Sequence, residues 1–291
     1  MSERPHLRFG ICTDQNQPFE ELVGRWRLFE ELGFDSVWDC DHFNQPSRPD
    51  GPYFEGWTLL SALAAKTSRI RVGVLVSSNT FRHPALLAQQ ATTVDHVSGG
   101  RLELGLGAGW FVLEHERFGI PFPSPPERVA MFREAVEVVD ALLTSASTSY
   151  RGTHYRLEDA SVQPRPVQVP RPPLTLGAHG SRMLRVCAEY ADAWNSFGSV
   201  EEIAARNEIL DGHCAEIGRP PEEIRRSLYC WQSMMEEQGL PDPWSSVGAF
   251  EEIVGRYSEV GIDEFIIDQP SLDQADVLER VAGEVIPALR R

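Results

Sequence analysis

The stretch SVWDCDHF, from Ser36 to Phe43, begins as an apolar strand and ends in Asp39, Asp41 and His42. Two carboxylates and an imidazole this close together suit three chemistries. They can ligate a metal, form part of a catalytic triad, or line a cofactor pocket. A structural reading stands beside these: a strand-end aspartate closing an Asx-turn, and a histidine with its hydrogen bonds satisfied. The metal reading lacks its usual companions. Barrel metallohydrolases carry HxH at the end of the first strand, where this chain reads ICTDQ. Its eight histidines include neither HxH nor HExxH, so no metal is expected. Serine-hydrolase chemistry lacks its GxSxG elbow. The five cysteines form no CxxC pair, which argues against a zinc ribbon or a disulfide framework and fits a reducing cytoplasm.

Three further stretches could hold a ligand. GLGAGW (105–110) looks like a dinucleotide fingerprint, but Trp110 stands where its last glycine belongs. Either it is a tight strand-to-loop passage, or its missing Cβ atoms let backbone approach a flat ligand. LGAHGSRMLR (176–185) places small residues before a helix, where backbone N–H groups and the helix dipole favour an anion such as phosphate. In VGVLVSSNTFRHP (72–84), an apolar strand passes into a polar loop before the proline that opens a helix.

These segments need positioning, and the rest of the chain supplies a regular frame. Apolar, strand-like runs occur at 7–12, 36–40, 70–77, 102–107, 172–178, 192–197, 226–233 and 263–269. Helical periodicity with Pro and Gly punctuation fills 18–33, 57–68, 84–100, 125–143, 180–191, 200–218, 246–261 and 273–288. Eight strands alternating with eight helices predict an α/β fold, a single (β/α)8 TIM barrel spanning 1–291, with a doubly wound open sheet as the alternative. Two stretches break the rhythm: a Pro-rich link at 110–124 and a longer one at 145–171. The second is expected to be a packed excursion that shapes a pocket. Barrel chemistry sits at the C-terminal ends of strands, which here carry Cys12 to Gln15, Asp39 to Asn44, Gly105 to Trp110, Gly177 to Ser181, Trp231-Gln232 and Asp268-Gln269.

Composition narrows the partners. Lys and Arg number 27 against 43 Asp and Glu, a formal charge of −16, which disfavours nucleic acid. Hydrophobic residues make up 42% of the chain, enough for a sizeable core. No apolar run approaches a membrane span, and the N-terminus MSERPHLRFGI lacks the apolar core of a signal peptide. A cytoplasmic enzyme of small molecules is the expectation.

GFDSVWDCDHF, TSRIRVGVLVSSNTFRHPALLAQQATTVDHVSGGRLELGLGAGW, EHERFGIPFP and ADAWN, in this order and spacing, resemble the luciferase-like flavin monooxygenase superfamily. The likeness runs over nearly the whole chain and is greatest to oxidoreductases that use the deazaflavin coenzyme F420. It implies an eight-stranded barrel and an F420-dependent hydride transfer to or from a small, largely apolar substrate. It implies that Asp41 and His42 line the ring, with His42 at the reacting face and Asp41 positioning the ring or the histidine. It aligns the Leu75–Val76 bond with a non-prolyl cis peptide behind the ring. Gly107, Ala108 and Gly109 align with the loop beside the ring. Gly177, Ala178, His179, Gly180 and Ser181 align with the phosphate cradle. Trp110 stands where sugar-phosphate dehydrogenases of the family carry a glutamate, so Trp110 and Phe111 make that side of the substrate pocket bulky and apolar. Asp39 has no matched role and reads as structural. Family members often form homodimers. The alternatives are an FMN-dependent monooxygenase using reduced flavin and oxygen, and a flavin-binding barrel without a reaction.

Overall fold

In a computed structural model of the chain, residues 6–46 and 48–290 are described. The reading of the N-terminus as lacking a leader rests partly on residues 1–5, outside the described residues. Eight parallel strands close into a barrel. In chain order they are Arg8–Cys12, Ser36–Asp39, Arg71–Val74 (resuming at Ser77–Ser78), Leu102–Gly107, Leu174–Gly177, Ala193–Ser196, Arg225–Cys230 and Glu264–Asp268. Each pairs with its neighbour in sequence, and the eighth pairs with the first. Helices between the strands cover the outside, as the alternating pattern requires.

Side-chain parity decides what each strand residue does, because neighbours on a strand point to opposite faces. Phe9, Ile11, Val37, Val72, Val74, Leu102, Leu104 and Leu106 join the apolar layer between barrel and helices. The alternate positions face the barrel's interior, where Cys12, Trp38, Leu75 and Ile266 form a separate small cluster. Trp38 is the largest of them. Room for it comes from Gly10 and Gly73, since a Cβ on Gly73 would lie 2.4 Å from the indole ring.

The interior is closed at the N-terminal ends of the strands by charge. Buried Glu103 and Glu264 meet Arg8, Arg71 and Arg225, with Arg8 reaching both at 2.8 and 3.1 Å and Arg71 reaching Glu103 at 2.6 Å. Arg225 stands 3.4 Å from each glutamate. Burial, and then the neighbouring Glu103, push the Glu264 acid up to about 7.

Four stretches depart from the bounds or roles read from the sequence. The third strand, read as continuous over 70–77, breaks at Leu75–Val76, where the bond is the non-prolyl cis peptide that the resemblance implies, and Val76 enters the barrel. The seventh strand stops at Cys230, because the Asp268 carboxylate accepts the Gln232 N–H at 2.9 Å where a longer strand would have paired it, and a short helix Gln232–Glu237 follows. The Pro-rich link contains a helix, Val112–Phe118, ended by Gly119 in the left-handed region. The excursion at 145–171 is a packed hairpin, Thr148–Arg151 with Arg156–Ala160, followed by a return segment. Asp95 fastens that segment by accepting the N–H groups of Val167 and Gln168. None of its residues lines the main cavity, so the expectation that it shapes a pocket is corrected: it runs along the outer face of the helix Pro84–Ser98.

Candidate active site

A cavity of about 820 Å³ opens at the C-terminal ends of the strands. That is within the range of small-molecule and cofactor sites. His42, Leu75, Val76, Gly107, Ala108, Gly109, Trp110, Gly177, Ala178, His179 and Gly180 all line it. Asp41, Phe111 and Ser181 do not.

His42 sits on a loop just beyond the second strand. Its Nδ1 lies 2.8 Å from Glu114 Oε1, and the other oxygen of Glu114 accepts the Phe43 N–H at 3.0 Å. A carboxylate only accepts, so Nδ1 carries the proton and Nε2 is left for a ligand. Glu114 is buried and stands on the helix Val112–Phe118, one turn past Trp110. The Trp110 and Phe111 rings meet the imidazole edge-on, with centroids 5.6 and 6.0 Å away. Phe111 therefore packs the histidine from outside the cavity. A carboxylate–imidazole pair on a cavity wall can orient a reacting group and exchange a proton with it.

Asp41 departs from the expectation that it lines the ring. It is buried behind the wall. Arg82 grips both its oxygens, at 2.5 and 2.7 Å, and Ser78 N–H donates to it at 2.7 Å. That bidentate pair ties the His42 loop to the polar turn after the third strand. Asp39 follows from parity: it belongs to the outward set with Val37, is fully buried, and neither carboxylate oxygen has a hydrogen-bond partner. Burial, and then the neighbouring Cys40, raise its acid well above the usual carboxylate range.

The opposite wall is built around Val76. A Cβ on Gly107 would lie 2.6 Å from Val76 Cγ2, and one on Gly177 would lie 3.0 Å from it. A side chain at either position would press on Val76, more severely at Gly107. Gly109 has φ +78°, and a Cβ there would press on Ser78 Oγ and Thr80 Oγ1, each at 2.8 Å. Those hydroxyls continue to His115, whose Nε2 lies 2.7 Å from Thr80 Oγ1 and whose Nδ1 donates to Phe111 O at 2.8 Å. Beyond Gly180 the helix Ser181–Tyr190 starts without a side-chain cap, and no atom lies within 4 Å of the Cβ position of Gly180. Helix N-termini without a side-chain cap favour anions in general. Ser181 bonds His213 at 3.2 Å and lines an adjoining groove with Arg182 and Arg185. His179 at the cradle is held near 4 by burial and then by Arg206, so its ring is neutral.

Residues 7–234 match the family described as luciferase-like monooxygenase. The chain belongs to that family. An F420-dependent glucose-6-phosphate dehydrogenase of Beutenbergia cavernae is 30% identical, the alignment covering 98% of this chain and 97% of that protein. A 5,10-methylenetetrahydromethanopterin reductase of Archaeoglobus fulgidus is also 30% identical over 80% of this chain and 66% of its own length. Among solved structures, an F420-dependent secondary alcohol dehydrogenase in complex with an F420–acetone adduct superposes with a TM-score of 0.84. It has 20% identity and covers 98% of this chain and 99% of that one, and the likeness speaks to the fold.

In this luciferase-like barrel the sequence reading placed Trp231 and Asp268 at the strand ends but gave them no role, and it missed Tyr229. Asp268, at the end of the eighth strand, accepts the Tyr229 phenol at 2.6 Å, and burial pushes its acid up to about 6. Trp231 lies parallel to Tyr229 with centroids 6.3 Å apart and meets Trp110 at 5.9 Å. Inward parity at the strand ends would have found Tyr229 and Asp268, which share a face with Ser227 and Glu264. Glu114 would have followed from its place one helical turn beyond Trp110. Among the described residues, no group of three or more His, Cys, Asp and Glu is placed to hold a metal, and no helix is long and apolar enough to cross a membrane.

Proposed function

We propose that this chain is an oxidoreductase that moves a hydride between coenzyme F420 and a small, largely apolar carbonyl or imine. The His42–Glu114 pair carries the reading, because it stands on the same cavity as the Val76 wall and the uncapped helix. The residues fit a flat ring with a phosphate-bearing tail. Gly107 and Gly177 make room for the Val76 side chain, which offers the ring an apolar face, and the N-terminus at Gly180 and Ser181 offers the anion seat. The F420 in the names of the relatives supports this choice of cofactor.

When bound, the deazaflavin supplies the hydride chemistry. The chain supplies the rest. His42 Nε2 orients the substrate's oxygen or nitrogen and exchanges its proton, while Glu114 fixes the tautomer and stabilises the imidazolium. Asp41 acts through Arg82 and Ser78 to position the loop that carries His42. Trp110 and Trp231 exclude water on the substrate side.

Lysine and arginine are absent from the described residues lining the cavity, so a sugar phosphate has no cation to meet. Anaerobic oxidation of the reduced deazaflavin by a panel of carbonyls and imines tests the proposal. Turnover of apolar members is expected and turnover of glucose 6-phosphate is not. Oxygen consumption with reduced FMN would favour the monooxygenase reading, and tight flavin binding without turnover the non-catalytic one.

A further inference from the structure

The cavity's charge is one-sided. Asp14, Glu114, Glu236 and Asp268 line it. Of the arginines nearby, Arg82 is committed to Asp41 and Arg206 to Phe197 O at 2.6 Å, while Arg48 stands off the lining close to Asp14. Glu114 is engaged with His42, but Asp268 has only a phenol and a backbone N–H, both neutral donors. In front of it stands an aromatic wall. Tyr229 and Trp231 are parallel, and Trp110 and Phe197 meet Trp231 at 5.9 and 5.8 Å. Ring faces attract cations, and more strongly where water is excluded. A carboxylate beside such a wall, with no lysine or arginine among the described residues of the lining, is matched by positive charge on the ligand.

We propose that the substrate of this cavity carries its positive charge on nitrogen, as an iminium or protonated cyclic imine, seated against Trp110 and Trp231 with Asp268 as counter-charge. The inference rests on the oxidoreductase reading and narrows its substrate class. Hydride addition then discharges the cation. One C–H bond forms at the iminium carbon, the C=N π pair becomes the nitrogen lone pair, and the amine is neutral. The reductant would be a reduced deazaflavin, whose oxidation would supply the hydride and release one proton to solvent, while His42 would orient the iminium nitrogen's side of the substrate. A carboxylate near nitrogen favours the charged ground state, so Asp268 is a specificity residue, distinct from the His42–Glu114 pair.

The test is calorimetric titration of the protein with three probes of one shape: benzyltrimethylammonium, its neutral carbon isostere neopentylbenzene, and the anion benzylsulfonate. Oxidised F420 is titrated in parallel. The cation is expected to bind about tenfold or more tightly than the isostere, and the sulfonate more weakly than both. In Asp268→Asn most of that preference is expected to disappear while the affinity for the isostere stays unchanged, which also shows that the variant is folded. Equal affinity for cation and isostere in the unaltered protein, or tighter binding of the sulfonate, overturns the inference without any variant. Failure of F420 to bind strikes the oxidoreductase reading, and the probe series reports separately on the cavity's charge preference.

Discussion

The two ends of the barrel each turn carboxylates inward, and they treat them in opposite ways. At the N-terminal end, Glu103 and Glu264 share three arginines. At the C-terminal end, Asp14, Glu114, Glu236 and Asp268 line a cavity with neither lysine nor arginine among the described residues of its lining. Strand parity links the two ends directly in one place: Glu264 and Asp268 are four residues apart on one strand and point to one face. The lesson is that chemistry is decided by what is withheld. The lower acids are neutralised from within and close the barrel, while the upper acids are left for a proton, a histidine or a ligand to complete.

The comparison can be broken most forcefully at its upper end. His42→Ala should lower turnover by about 10²–10⁴-fold with an unchanged melting temperature. A loss below about threefold would deny the histidine its role. Removing the lower carboxylate should do the reverse. Glu103→Ala takes the carboxylate from Arg71 and leaves Arg8 and Arg225 with Glu264 alone, at a cost of about 3–5 kcal/mol in denaturant unfolding, while the folded fraction keeps its ligand affinity. Next in size is Gly107→Ala, which presses on Val76 and should weaken binding of the ring by about tenfold with little change in stability. Titration of the protein with F420 would show it.

The smallest effect is a pH dependence at the lower end. Glu264 has its folded value raised to about 7 against an ordinary 4.5. Between those values the folded state binds more protons than the unfolded one, so stability falls as pH rises. The contribution is fully present below about pH 4.5 and lost as pH passes 7, and it amounts to roughly 1–3 kcal/mol. Unfolding curves at pH 5 and pH 8 should converge in Glu264→Gln. A slope unaltered by that substitution would mean that the arginines already hold the acid ionised.

Most of the frame was legible because it repeats. Eight apolar runs between helical stretches leave little choice but a barrel, and Leu102–Gly107 appears where the run 102–107 placed it. The His42 loop and the glycines at 107, 109 and 177 could be named because small residues and polar strand ends concentrate at one end of the fold. What escaped depends on tertiary contact. Asp41 reads as a cavity residue until Arg82, 41 positions away, claims it. Glu114 lies in a segment that reads as a Pro-rich link, because a seven-residue helix just ahead of Pro121 and Pro123 leaves too short a period to see. Asp39 and Cys40 are adjacent in sequence, and only strand parity sends one into the helix layer and the other into the cavity.

The central claim is that the upper end is completed by a deazaflavin. Equilibrium titration of the protein with oxidised F420 and, in parallel, with FMN tests it most directly. The account predicts stoichiometric, saturable binding of F420, at least about tenfold tighter than FMN, and weakened by Gly107→Ala. Binding of FMN with no affinity for F420 would contradict it.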